Sequence, residues 1–299
     1  MLEPLFVGAG VALITPFDGG GVNEDVLRQL VRFQLSGGID ALVVNGSTGE
    51  AAAMSADEQQ RAAEVVVEEA AGRVPVVGGV GGSDTREVID LARRARAAGV
   101  DALLVSGPVY NKPPQRGVVA HFRAVLDAVP LPLIVYNIPG RTCCNILPET
   151  IEELAGDPRV IGVKEASGDI AQVTELARRV GDRVPLYSGN DDQVLPLLAL
   201  GGQGVVSVLA NIAPGEVSHM VHAFLTGDLD AARRIQLDFL PLIHALFAES
   251  SPIPVKAAAA ALGFDVGGLR LPLVAPSPDV ERALLDRMRE RGLPVRERR

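Results

Sequence analysis

Short apolar runs alternate with amphipathic helical patterns along about three quarters of the chain. The apolar runs are rich in Val, Ile and Leu, which is typical of parallel strands buried on both faces. The helical patterns begin at cap residues, such as the capping box from Ser55 to Glu58, and several end at glycine. The pattern predicts strands over residues 7–17, 41–45, 74–80, 102–106, 133–138, 160–164, 184–188 and 205–209. It predicts helices over residues 23–36, 55–71, 84–98, 115–128, 148–155, 170–180, 193–200 and 214–225.

Eight strand–helix units indicate an α/β fold of the (β/α)8 type, a TIM barrel, since that fold needs roughly 200 to 250 residues. A doubly wound sheet has fewer strands, often five or six. Helical patterns continue over residues 229–247, 254–262 and 278–291. We therefore expect a barrel over residues 1–228 and a C-terminal extension of about three helices over residues 229–299, packed on the barrel. The Gly267-Gly268 turn is the strongest candidate for a boundary inside this extension.

Composition excludes several classes of function. The formal net charge is −9, which argues against nucleic acid as a partner. No apolar run approaches the roughly 20 residues of a membrane helix, and no signal peptide is expected. The only two cysteines, Cys143 and Cys144, are adjacent, so they predict neither a disulfide framework nor a four-ligand zinc site. We expect a reducing, cytoplasmic location.

Lysine usage singles out one residue for chemistry. Of 28 basic residues only three are Lys, namely Lys112, Lys164 and Lys256. Lys164 ends the apolar run that begins at Val160, which predicts a lysine at the C-terminal end of the sixth barrel strand. A desolvated Lys can lose its proton and attack a carbonyl to form a Schiff base, whereas Arg stays charged. An ordinary strand-end lysine reaching to solvent is the alternative interpretation.

Other candidate residues follow the ends of neighbouring strands, where barrel enzymes place their active sites. The turn from Asn45 to Glu50 could present hydroxyls and backbone N–H groups to a carboxylate, although an ordinary Gly/Ser turn is equally compatible. Tyr136 ends the fifth strand and Tyr110 follows the fourth, so both phenols are expected near Lys164. Arg141 could bind a carboxylate through its planar fork, or form a surface ion pair.

The remaining titratable residues are weaker candidates for a functional site. All four histidines fall in helical patterns, and His219 with His222 lacks a third ligand, so no metal site is expected. Asp191 and Asp192 begin a helix, where carboxylates are favoured by the helix dipole.

Seven motifs spread over nearly the whole chain carry a family resemblance. They are Gly46-Ser-Thr-Gly-Glu50, Tyr110-Asn-Lys-Pro113, Tyr136-Asn-Ile-Pro-Gly-Arg-Thr142, Gly162-Val-Lys-Glu-Ala166, Ser188-Gly-Asn-Asp191, Pro252-Ile-Pro-Val-Lys256 and Gly268-Leu-Arg-Leu-Pro-Leu273. The chain resembles the dihydrodipicolinate synthase/N-acetylneuraminate lyase family of pyruvate-dependent class I aldolases, and its synthase branch above all. That resemblance implies condensation of pyruvate with L-aspartate 4-semialdehyde, a step of lysine and diaminopimelate biosynthesis.

The resemblance also implies catalytic roles. Lys164 would form the imine with pyruvate and then the enamine. Ser47 and Thr48 would hold the pyruvate carboxylate, and Ser47 with Tyr136 would relay protons. Tyr110 matches a tyrosine that, in the family, reaches the relay from a neighbouring subunit.

Further implied contacts concern the second substrate and the assembly. Arg141 would orient the carboxylate of aspartate semialdehyde, with the Gly189 carbonyl and the Val206 side chain as other pocket contacts. The family implies a homotetramer built as a dimer of dimers, small-molecule substrates only, and no metal or organic cofactor.

Some positions depart from the family pattern. The synthases usually have Thr where Ser47 stands, and sialic acid lyases carry Ser there, but those lyases lack an arginine in the motif of Arg141. Val109, Ala56 and Gln59 replace residues of the lysine feedback site of regulated members. We therefore expect weak or absent inhibition by lysine, with no half-inhibition below the millimolar range.

Two alternatives stay open at this point. The first keeps the Schiff base but changes the aldehyde, as in N-acetylneuraminate lyase, 2-keto-3-deoxy sugar acid aldolases or 4-hydroxy-2-oxoglutarate aldolase. The second is a barrel that binds a small keto acid without turning it over. The joint presence of Lys164, Tyr136 and Tyr110 disfavours the second.

Overall fold

A computed structural model describes residues 3–296, and in it eight parallel strands close into a barrel. The barrel strands are β1 (Gly8–Ala12), β2 (Ala41–Val44), β3 (Val76–Val80), β4 (Ala102–Ser106), β5 (Leu133–Asn137), β6 (Val160–Glu165), β7 (Leu186–Ser188) and β8 (Gly204–Ser207). Each strand pairs with the next along the chain, and β8 pairs with β1 to complete the ring. The predicted (β/α)8 barrel is confirmed.

Helices alternate with the strands as expected. They are α1 (Glu24–Ser36), α2 (Ala56–Ala70), α3 (Thr85–Ala97), α4 (Gln115–Ala128), α5 (Pro148–Leu154), α6 (Ile170–Val180), α7 (Val194–Ala199) and α8 (Pro214–Leu225). The capping box that starts α2 is present, because the Ser55 hydroxyl accepts from Glu58 N and the Glu58 carboxylate accepts from Ser55 N. Local sequence therefore fixes where this helix begins.

Three further helices follow the barrel. They are α9 (Leu229–Leu246), α10 (Ile253–Leu262) and α11 (Pro278–Glu290). The helix α9 packs against α8, and α10 and α11 pack against α9. The three predicted helices are therefore present, while residues 297–299 of the predicted extension lie outside the described part of the chain.

The first apolar run is shorter as a strand than predicted. The pattern over residues 7–17 gives β1 only as far as Ala12, and Phe17–Asp18 instead pairs with Gly21–Val22 in a small antiparallel hairpin. Pro16 cannot donate to a sheet ladder, and the Asp18 carboxylate accepts from Gly20 N to hold the glycine-rich turn. Hydrophobicity alone could not show that break.

Packing divides the core into two layers. A large cluster fills the space between the barrel and its helices, and a smaller one fills the barrel interior. In the interior, the Tyr187 ring stacks on Phe6 at 4.4 Å between ring centroids, and its hydroxyl donates to the Phe6 carbonyl oxygen at 2.8 Å. Since Phe6 precedes β1, this pair closes the N-terminal end of the barrel, and the opposite end remains for a site.

Candidate active site

Lys164 lies at the C-terminal end of the barrel, next to Tyr136. The two residues are register partners on β6 and β5, and Lys164 Nζ lies 4.2 Å from the centroid of the Tyr136 ring. Both belong inside the barrel, whereas the next residues, Asn137 and Glu165, bond to each other outside it at 3.0 Å. This alternation follows from the period of two along a strand.

Burial makes the Lys164 amine unusual. The residue is only 5% exposed, and no described carboxylate forms an ion pair with its Nζ. Desolvation lowers the pKa of Lys164 from 10.5 to about 7; the nearby negative charge of Asp191 opposes the shift, and the positive charge of Arg141 adds to it. An amine with that pKa is substantially uncharged at neutral pH, so it is available as a nucleophile.

The turn after β2 carries two hydroxyl side chains, those of Ser47 and Thr48. Ser47–Gly49 forms a single 3₁₀ turn in which Gly49 N donates to Gly46 O at 3.0 Å and Glu50 N to Ser47 O at 3.2 Å. Thr48 is buried within the turn, whereas Ser47 is exposed. Gly49 packs closely against the segment that follows β1, since a Cβ at Gly49 would lie 3.0 Å from Thr15 Oγ1. The turn is thus packed tightly, and its ligand remains a prediction.

Tyr136 connects this turn to the lysine. Burial raises the pKa of the Tyr136 phenol to about 12, although the positive charge of Arg141 and a hydrogen bond with the Ser47 hydroxyl act in the opposite direction. The phenol therefore carries its proton at neutral pH. A protonated phenol that lies close to a hydroxyl and to an amine can pass a proton between them.

Arg141 lies at the mouth of the cavity. It belongs to a single-turn helix, Pro139–Thr142, which the sequence did not predict, and its Nη2 donates to the Ser251 carbonyl oxygen at 2.6 Å. A cavity of about 500 Å³ is lined in part by Ser47, Tyr136 and Arg141. Its other donors have no partner within residues 3–296, so the guanidinium is available to a small carboxylate in this cavity.

The two other predicted pocket contacts are Gly189, which lies against the lysine side chain, and Val206, which lies in the barrel interior. Gly189 N donates to Glu165 O at 2.7 Å, and a Cβ at Gly189 would lie 3.0 Å from Lys164 Cε. Only glycine at this position leaves the lysine side chain undisturbed. Val206 is 1% exposed and lies in the same interior cluster as Tyr136.

Of the predicted catalytic residues, Tyr136 and Ser47 line this cavity, and the buried Lys164 does not. Tyr110 is also absent from the lining. Its side chain is 84% exposed, and its backbone is in the left-handed region at φ +68°. Tyr110 N donates to Thr142 O at 3.2 Å, which holds the tyrosine next to the helix of Arg141 while its ring faces away from the chain. The part of the chain described here therefore brings Lys164, Tyr136, Ser47 and Arg141 together without Tyr110, and Thr48 lies buried in the same turn as Ser47.

Sequence reasoning missed or misread three residues around the site. Asp191 starts a 3₁₀ turn but is not an exposed dipole-favoured carboxylate, because it is buried and accepts from Val208 N at 2.9 Å and Leu209 N at 3.0 Å. Ser251 lines the cavity with a buried hydroxyl that lacks a hydrogen-bond partner within residues 3–296. Lys256, quoted in a motif without a role, forms a buried ion pair with Glu50 at 2.7 Å. The motifs contain Asp191 and Lys256, and Ser251 directly precedes one of them, but periodicity could not show these contacts.

Residues other than the catalytic candidates bear on the remaining sequence predictions. His222 Nε2 lies 3.0 Å from Asp40 Oδ2, and residues 3–296 contain no group of three or more His, Cys, Asp or Glu that could hold a metal. Over the same residues, no helix combines the length and the apolar character needed to cross a membrane. Gln59, expected to weaken lysine feedback, is buried and donates to Ala51 O at 3.0 Å. The predictions on lysine inhibition and on a cytoplasmic location remain predictions.

Comparison with known proteins gives consistent matches. The model of the dihydrodipicolinate synthetase family matches residues 5–290. The 4-hydroxy-tetrahydrodipicolinate synthase of Thermoanaerobacter sp. (strain X514) is 50% identical over 275 residues, covering 92% of this chain and 93% of the relative. That of Caldicellulosiruptor saccharolyticus is 46% identical over 295 residues, covering 98% of this chain and 100% of the relative. The crystal structure of dihydrodipicolinate synthase from Aquifex aeolicus superposes with a TM-score of 0.95 at 40% identity, covering 98% of this chain and 100% of that one.

Proposed function

Because the chain belongs to the dihydrodipicolinate synthetase family, we propose that it catalyses the reaction for which its relatives are named, the condensation of pyruvate with L-aspartate 4-semialdehyde to 4-hydroxy-tetrahydrodipicolinate. The observation that carries the proposal is the buried Lys164 amine, with a pKa lowered to about 7, beside the Tyr136 phenol. A coupled assay that offers the semialdehyde and four or five other aldehydes tests it. Faster turnover of a sugar aldehyde or of glyoxylate would support another aldolase of the family instead.

The first step is imine formation. The Lys164 lone pair attacks the ketone carbon of pyruvate, and a C–N bond forms as the carbonyl π electrons move to oxygen. Tyr136 donates its proton to that oxygen and recovers one from the nitrogen. It then donates the recovered proton to the hydroxyl, which leaves as water while the nitrogen lone pair forms the C=N bond, and the phenolate that remains can accept a methyl proton in the next step. The product is a protonated imine, which is an electron sink for the adjacent methyl group.

The second step makes the carbon nucleophile. Loss of a methyl proton through the Tyr136–Ser47 pair gives the enamine, while the turn at Ser47 and Thr48 holds the pyruvate carboxylate. Fixing the carboxylate aligns the methyl C–H bonds with the imine, and the buried site limits protonation of the enamine by water. The enamine then attacks the aldehyde carbon, a C–C bond forms, and the aldehyde oxygen takes a proton from the relay.

The third step releases the enzyme. The amino group of the former semialdehyde attacks the imine carbon and displaces the Lys164 amine, which closes the six-membered ring. The balance is one pyruvate and one semialdehyde consumed, with one ring and one water formed. Lys164 returns as a neutral amine, and neither a metal nor a redox cofactor is required by this sequence of steps.

We further propose that the relay contains Tyr110 of a neighbouring copy of this chain. Within one chain the Tyr110 ring is 84% exposed and absent from the cavity lining, yet its backbone is fixed beside the helix of Arg141. An exposed phenol in a constrained loop suits a contact between subunits better than free solvent. The homotetramer implied by the family resemblance belongs to this proposal.

Imine formation should depend on pH with a midpoint near 7. Only the neutral amine attacks, and because burial lowers the pKa of Lys164 to about 7, adduct formation should rise through neutral pH and level off above it. Tyr136 stays protonated throughout, because its pKa is raised to about 12. Borohydride trapping of pyruvate, quantified by mass spectrometry from pH 5.5 to 9.5, measures this profile. A midpoint near that of free lysine would contradict it.

Arg141→Ala should slow the reaction with aspartate semialdehyde more than it slows imine formation with pyruvate. We expect turnover with aspartate semialdehyde to fall roughly 10- to 100-fold, since a charge-assisted contact to its carboxylate is lost. Trapping of pyruvate above pH 8 should change less than about threefold, because Lys164 is neutral there in either protein. The trapping midpoint should move to higher pH, since the Arg141 charge helps to lower the pKa of Lys164.

Arg141→Lys is the matched control, because it keeps the charge and removes only the planar fork. Its trapping midpoint should stay near that of the unmodified chain, while its semialdehyde turnover should fall. If Arg141→Ala reduced trapping and turnover equally, Arg141 would not be the site of the second carboxylate.

A further inference from the structure

The second buried lysine of this chain, Lys256, forms an ion pair with the residue that ends the Ser47–Gly49 turn. Lys256 Nζ lies 2.7 Å from Glu50 Oε1, and the side chains of Lys256 and Glu50 are 3% and 0% exposed. Lys256 belongs to α10 of the C-terminal extension, and Glu50 ends the turn after β2. The pair therefore joins parts of the chain that are 206 residues apart.

The remaining polar atoms of the pair are bonded too. Lys256 Nζ also donates to Gly268 O at 2.7 Å, and Glu50 Oε2 accepts from Arg270 N at 2.9 Å. The Phe17 ring has Lys256 Nζ 4.3 Å and Arg270 Cζ 4.0 Å from its centroid. A buried ion pair with this many partners is fixed in one arrangement, because any shift leaves a charge unpaired.

The backbone of Glu50 connects the ion pair to the Ser47–Gly49 turn. Its backbone is in the left-handed region at φ +56°, its N–H donates to Ser47 O at 3.2 Å, and its carbonyl accepts from Ala53 N at 2.8 Å. Ser47–Gly49 is one turn long, so its orientation depends on how its last residue is held. Arg270 continues the connection, since it bonds to Ala53 O and to Glu58 and also lines the cavity.

We propose that Glu50 and Lys256 are positioning residues for pyruvate: their ion pair fixes the Ser47–Gly49 turn against the C-terminal extension so that Ser47 and Thr48 meet the pyruvate carboxylate. The inference rests on the proposed function, because it assigns the turn to that carboxylate. It also gives the extension a part in the reaction, through α10 and the segment of Gly268 and Arg270.

Lysine rather than arginine suits this position. The ammonium group is a compact charge that reaches Glu50 Oε1 and Gly268 O at 2.7 Å each while staying over the Phe17 ring. A planar guanidinium presents its donors in a fixed fork and is larger, so it would push Glu50 outward. This packing explains why a chain that otherwise uses Arg has Lys at position 256. It does not require Lys256 to be a second nucleophile, since its amine is bonded to both Glu50 and Gly268.

The test compares Lys256→Met, Lys256→Arg and the double variant Glu50→Gln/Lys256→Met with the unmodified chain. The readout is the pyruvate concentration that gives half-maximal borohydride trapping at Lys164. We expect Lys256→Met and Lys256→Arg to raise it roughly tenfold, and the apparent KM for the semialdehyde to stay within about twofold. Lys112→Met is the matched control, because Lys112 is exposed and its removal should leave half-saturation unchanged.

The double variant separates positioning from stability. It removes both charges, so it should regain most of the thermal stability that Lys256→Met loses, yet its half-saturating pyruvate concentration should stay high. If the double variant binds pyruvate as the unmodified chain does, the pair is only structural and the inference is overturned. If the unmodified chain traps no pyruvate, the proposed function fails first, which is a different result.

Discussion

Lys164→Met is expected to abolish adduct formation with pyruvate and at the same time to stabilise the fold. Turnover should fall by at least about 10⁴-fold, because no other described amine replaces the nucleophile. Lys256 is held by Glu50, and Lys112 is exposed and outside the cavity lining. Assays with aspartate semialdehyde and mass spectrometry after borohydride treatment measure the loss.

The gain in stability follows from the lowered pKa of Lys164. Between pH 7 and 10.5 the unfolded chain binds a proton at Lys164 that the folded chain does not, so the folded state is disfavoured there. At pH 8 the pKa difference corresponds to about 3 kcal/mol, which Met avoids because it fills a similar volume without a charge. The free energy of unfolding of Lys164→Met should exceed that of the unmodified chain, by an amount that shrinks as pH rises towards 10.5.

Chemical denaturation at pH 8 and pH 10 measures this difference, with Lys112→Met as the variant that should change neither stability nor trapping. A Lys164→Met protein that unfolds more easily than the unmodified chain at pH 8 would contradict the burial argument. Adduct formation in that variant would contradict the choice of nucleophile.

The scarcity of lysine pointed to Lys164, but it pointed equally to Lys256. Strand patterning separated the two, because Lys164 ends an apolar run of the barrel while Lys256 falls in a C-terminal helix. Local periodicity determines facing and burial along a strand, so the environment of Lys164 was predictable. The partner of Lys256 was not, because Glu50 lies 206 residues away and no local pattern encodes that pairing.

Arg141 and Asp191 show the same limit. The motif identified Arg141, but the bond from its guanidinium to the Ser251 carbonyl depends on the C-terminal extension meeting the barrel. Asp191 looked like a helix-start carboxylate, and only the tertiary structure brings the N–H groups of Val208 and Leu209 to it. Residue type and strand position thus predicted which side chains surround the amine, while contacts over long sequence separations required the fold.

Removing the Tyr136 hydroxyl is expected to give the second large effect on turnover. Tyr187, a second buried tyrosine in the barrel, provides a matched control. Both phenols lie inside the barrel and are buried, with pKa values raised mainly by burial. Tyr187 is the register partner of Lys164 on the next strand, but its hydroxyl donates to the Phe6 carbonyl oxygen and the residue is absent from the cavity lining. Tyr136 faces Lys164 and the Ser47 hydroxyl. Comparing substitutions at the two positions therefore distinguishes the effect of losing a buried hydroxyl from the effect of losing a proton donor.

Tyr136→Phe should lower turnover by about 10²- to 10⁴-fold, because a positioned proton donor contributes that much to acid–base steps. The unfolding free energy should change little, since the ring and its packing remain. Tyr187→Phe should do the reverse: the Phe6 carbonyl loses its donor, which costs about 1–3 kcal/mol of stability, while turnover per folded molecule stays within about twofold. Denaturation curves and steady-state assays on both variants measure these effects. Equal losses of turnover in the two variants would mean that Tyr136 only supports the barrel, and protons would then have to reach the imine by another route.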